Sequence, residues 1–61
     1  MSSYGRDELY RDLRVSVSIR HVLPTLEALA EELGGFAAKQ AIKEAIVHLR
    51  AEEQAATRRA Q

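Results

Sequence analysis

The sequence predicts a mainly α chain with one β-strand, and a strand that a second copy has to complete. Residues 13–19 read Leu-Arg-Val-Ser-Val-Ser-Ile, apolar at every odd position and polar between, which is the period-two pattern of a ribbon with one buried face. Two amphipathic helical stretches follow, separated by Gly34-Gly35. The chain has 61 residues and no cysteine. A monomer of that size buries only about 60% of its unfolded surface, and neither a disulfide nor a thiolate zinc site can supplement its core. Association is the remaining remedy, and a lone strand with one buried face needs a partner strand to satisfy its backbone. The simplest partner is the same strand from another copy.

Taken in order, residues 1–12 form a flexible N-terminal arm, in which 7–12 either make one helical turn around Leu9 and Tyr10 or continue the arm. The strand then turns Val15, Val17 and Ile19 inward and Arg14, Ser16 and Ser18 outward. After a turn at 20–23, Pro24 fits the first position of a helix, where its missing N–H is no loss. Leu26, Leu29, Ala30 and Leu33 give that short helix an apolar stripe opposite Glu27, Glu31 and Glu32. Gly34-Gly35 stops it, glycine being suited to a left-handed helix end. Residues 36–53 form the longer helix, with Ala38, Ile42, Ala45, Ile46 and Leu49 inward and Lys39, Lys43, Glu44, Arg50 and Glu52 outside or at the borders. Residues 54–61 lack an apolar face and are expected to fray. The domain proper is thus 13–53. Its shared core is Val15, Val17, Ile19, Leu26, Leu29, Leu33, Ile42, Ile46 and Leu49.

The order of strand, short helix, glycine turn and longer helix resembles the ribbon-helix-helix DNA-binding proteins, the class of the Arc and methionine repressors. Leu29-Ala30-Glu31-Glu32-Leu33-Gly34 and Ala41-Ile42-Lys43-Glu44-Ala45-Ile46 look like that family's Leu-Ala-x-x-Leu-Gly and Ala-Ile-Arg-Glu-Ala-Ile segments. The resemblance implies an intertwined homodimer whose two-stranded antiparallel ribbon enters the major groove of double-stranded DNA. Arg14, Ser16 and Ser18 would then face the bases. It also implies a phosphate clamp at the start of the second helix, formed by Gly35, Phe36 and Ala37 with Lys39, Lys43 and Arg20 nearby. A transcriptional repressor reading an inverted-repeat operator follows, of the kind carried by bacterial, plasmid and phage genomes, with dimers able to stack on DNA.

Composition bounds the other classes. Formal net charge is zero, which disfavours loose electrostatic coating of nucleic acid and leaves room for a local basic face. The apolar runs are too short to span a membrane and the N-terminus lacks signal-peptide character, so a cytoplasmic protein, nucleoid-associated when bound, is expected. His21 and His48 have no catalytic spacing to an acid. Glu44, His48 and Glu52 share a helix face, but such pairs are ordinary helix decoration. No cofactor, metal or enzymatic activity is expected. From a different class comes a helical hairpin that dimerises as a protein-protein interaction module, in which residues 13–19 would be helical. The resemblance also leaves room for an antitoxin with a toxin partner.

Overall fold

The computed structural model describes residues 4–61, and their architecture is a helical hairpin. Helix α1 runs Arg6–Glu32 and α2 runs Phe36–Ala60, packed antiparallel. No strand occurs among the described residues. This overturns the mixed fold class and with it the two-stranded ribbon: residues 13–19 are the middle of α1. Part of the expected arm, residues 1–3, lies outside the described residues. Residues 6–12 belong to α1, and residues 54–60, expected to fray, belong to α2.

The reason is a second pattern that runs through the same letters. Positions 9, 12, 16, 19, 23, 26, 30 and 33 alternate steps of three and four, and each is buried or half-buried. Positions 39, 42, 46, 49, 53, 56 and 60 do the same on α2. This is the seam of an antiparallel two-stranded coiled coil. The alternation at 13–19 spans seven residues, whereas the heptad register spans both helices and buries more, so it prevails.

In the terminal half of the seam polar residues interrupt the apolar Leu9, Ile19, Ala56 and Ala60, whereas Lys39 is the one polar seam residue beside the turn. Asp12 and Ser16 are buried, and Glu53 and Thr57 are half-buried opposite them. Toward the turn, Leu23, Leu26, Ala30 and Leu33 meet Ile42, Ile46 and Leu49. The polar residues hid the heptads from a hydrophobicity reading.

Local details follow from the longer α1. Asp7 and Glu8 sit in its first turn, where acids suit the dipole, and the Glu8 carboxylate accepts the Gly5 N–H at 2.9 Å. Pro24 is not a helix start but lies inside α1 on its exposed side. Its absent N–H leaves the helix one backbone bond short at that turn. Leu33 caps α1 by donating its N–H to the Leu29 carbonyl at 3.0 Å. No glycine among the described residues has positive φ. Leu33 and Gly35 are both extended, so the turn at 33–35 is made without the left-handed glycine expected.

Candidate functional site

The hairpin has two flanks of opposite character. On one, the Arg20 Nε lies 3.4 Å from Glu53 and the Arg50 guanidinium donates to Glu27 at 2.8 Å, ion pairs that tie the helices together. On the other, Val15, Val22 and Leu29 recur every seven residues along α1. Ala38 and Ala45 recur at the same interval on α2, and the series continues to Glu52 and Arg59 toward the chain ends. A shallow groove on this flank is lined by Arg11, Val15, Ile19, Leu49 and Glu52. Val22 and Leu29 are 38% and 39% exposed.

This apolar flank sits on a molecule with almost no closed interior. The buried apolar residues among those described are Ile19, Ala30, Ile46 and Ala56, and no large side chain is fully enclosed. The rod measures 49 × 18 × 14 Å with a radius of gyration of 14.4 Å, against about 10.5 Å for a compact chain of this length. It exposes 4904 Å², where a compact monomer of 6.8 kDa would expose about 4000 Å². The excess, about 900 Å², is close to what one partner contributes to a standard protein interface.

Where the chain ends meet, two polar clusters close the hairpin. Arg59 grips Asp12 through Nε at 3.2 Å to both carboxylate oxygens and through Nη2 at 3.0 Å, and the Tyr4 hydroxyl donates to Asp12 Oδ2 at 2.9 Å. The Arg59 hydrogen bonds hold the Asp12 carboxyl below its ordinary pKa, outweighing the opposing effect of burial, and the Tyr4 hydrogen bond adds to them. Burial first, and then the bond to Asp12, raise the Tyr4 phenol. The hydrogen bond to Asp12 likewise raises Arg59. One turn on, the Thr57 hydroxyl donates to Glu53 at 3.1 Å, so in the 3.0 Å contact between Ser16 and Thr57 the Ser16 hydroxyl is the donor. No buried side-chain polar atom among the described residues lacks a partner.

The residues assigned to DNA do not assemble as a reading face. Ser16 is enclosed in the seam, while Arg14 and Ser18 are exposed on α1. Arg20 is paired with Glu53. Gly35, Phe36 and Ala37 lie exposed at the start of α2, Lys39 is half-buried beside them, and Lys43 is exposed on the ion-paired flank. Of the expected core, Ile19 and Ile46 are buried within one chain, and Leu26, Leu33, Ile42 and Leu49 are half-buried along the seam. Val17 is 59% exposed and forms, with Tyr10 and Leu13, a stripe on the far side of α1. Sequence reasoning missed Asp12, Thr57 and Arg59; seven-residue spacing was the signal that would have placed Asp12 in the seam and Thr57 beside it.

The class defined by this geometry is an antiparallel two-helix coiled-coil hairpin with an open apolar flank along Val15, Val22 and Leu29 and a second exposed apolar stripe at Tyr10, Leu13 and Val17. No family model, curated protein or solved structure matches the chain, so the ribbon-helix-helix resemblance rests on its two short segments alone. No helix among the described residues is long and apolar enough to cross a membrane. No group of three or more metal-ligating side chains comes together among them.

Proposed function

We propose that the chain is a helical-hairpin protein-protein interaction module that works as a homodimer, its open flank covered by a second copy to make a four-helix bundle. The carrying observation is the asymmetry between the flanks. Arg20–Glu53 and Arg50–Glu27 bridge one side along its length, while Val15, Val22 and Leu29 run along the other, which only the Arg59–Asp12 pair closes at its terminal end. Four-helix bundles bury seams of this kind, and a hairpin is half of one. The surface excess of about 900 Å² per chain suits that assembly. A chain that buries so few apolar side chains is poorly placed to offset its conformational entropy alone.

Sedimentation equilibrium at micromolar concentration should give a dimer, and the melting temperature should rise with protein concentration because association stabilises only the folded chain. Val22→Asp should abolish the dimer by placing a charge in its interface. A wild-type monomer with a concentration-independent melt would refute the proposal.

A further inference from the structure

We infer that the two copies pack with α1 antiparallel to α1 about a two-fold axis at Val22, so that their turns point to opposite ends of the bundle. This rests on the self-association proposed above and adds its register. Two hairpins facing each other across an apolar flank can be related in two ways. One two-fold axis runs along the bundle and sets α1 against α2 of the second copy; the other runs across it and sets α1 against α1 and α2 against α2.

Charge at the flank's edge separates the two. Along the edge of α1 stand Arg11, Ser18, Thr25 and Glu32, one every seven residues, basic at one end and acidic at the other. A crosswise axis at Val22 stacks Val22 on its own copy and Val15 on Leu29. It also brings Arg11 beside the second copy's Glu32, twice by symmetry. The cross-helix contacts fix which α2 residues lie level with Val22, because Ser16 meets Thr57 and Arg20 meets Glu53. The same axis therefore passes near residue 50 of α2 and sets His48 near Glu52 of the second copy. The lengthwise axis instead brings Arg11 beside Arg59 of the second copy, so it matches like charges, whereas Glu52, which lines the flank, is covered under either axis. Opposite charges at the rim select register in this way even when each pair is weak.

The chain lacks cysteine, so single-cysteine variants report the register directly. Under mild oxidation Val22→Cys should cross-link to itself. Val15→Cys mixed with Leu29→Cys should give the mixed cross-linked dimer in preference to either self-pair. Independently, Arg11→Glu or Glu32→Arg alone should weaken the dimer about tenfold, summed over two rim pairs, and the two together should restore it. Glu32 lies in the last turn of α1, where an arginine favours the helix itself, so weakening by Glu32→Arg reads the interface and not the fold. A dimer in which Val22→Cys fails to cross-link, or in which the double reversal does not recover affinity, overturns the register and leaves the self-association standing. A wild-type monomer in sedimentation overturns both.

Discussion

Asp12 is the residue on which the terminal cluster centres, since it accepts hydrogen bonds from both Arg59 and Tyr4. Its carboxyl pKa is lower in the folded chain than in the unfolded one, so its contribution is complete above about pH 4 and is lost as pH falls through the folded value. Tyr4 has the opposite sign: its pKa is raised, so its contribution is lost as pH climbs through the folded value. Asp12→Asn is expected to lower the melting temperature at neutral pH, and its deficit against wild type should shrink on acidification; a constant deficit from pH 7 to 2 would contradict this. Val17 tests the fold from the other side. In a β-ribbon its side chain is core, whereas in the hairpin it is exposed and outside both flanks. Val17→Asp should stay folded and dimeric, within about 0.5 kcal/mol of wild type.

At the scale of elements, α2 was legible because its stripe is uniform: Ile42, Ile46 and Leu49 at helical spacing leave no competing period. The turn was legible too, from Gly34-Gly35, although its backbone conformation was not. What misled was α1. Val15, Val17 and Ile19 are β-branched and alternate with small polar residues, so propensity and local period both favoured a strand. The evidence against it, a heptad register continuing on either side, was masked by Asp12 and Ser16 in seam positions. Pro24 reinforced the error by resembling a helix start. Its place inside α1 makes a discriminating substitution: Pro24→Ala should restore a backbone bond and stabilise the chain by up to about 3 kcal/mol, whereas at a helix's first position the change would gain nothing. Thermal melts of the two proteins compare directly. Gly34→Ala should also stabilise, by about 0.4–1 kcal/mol, because a Cβ there meets nothing within 4 Å and φ is not positive. Loss of stability would show that glycine's conformational freedom is used.

For the whole molecule, length and missing cysteine motivate the proposed self-association, but the surface it would use was not readable. The apolar flank depends on knowing that residues 15, 22 and 29 belong to one helix, which the strand reading divided between three elements. Amide and carbon chemical shifts over 13–19 give the direct check. Helical shifts are expected throughout, and strand-like shifts would restore the ribbon.

The three-residue turn also sets the order in which the hairpin closes. Contacts beside it enclose a short loop and lose little chain entropy, while Asp12 and Arg59 are separated by 47 positions and must wait for the rest. Leu26, Ala30, Leu33, Ile42 and Ile46 lie in the turn-proximal seam, whereas Asp12, Ser16 and Glu53 lie in the distal one, so the part that forms most cheaply holds more of the large apolar seam residues. Closure then proceeds as a zipper from the turn outward, with the terminal clamp absent from the transition state. Arg59→Ala should accelerate unfolding and leave the folding rate nearly unchanged, whereas Ala30→Gly, next to the turn, should slow folding. Amide hydrogen exchange under native conditions should fall in protection along each helix from the turn toward the ends.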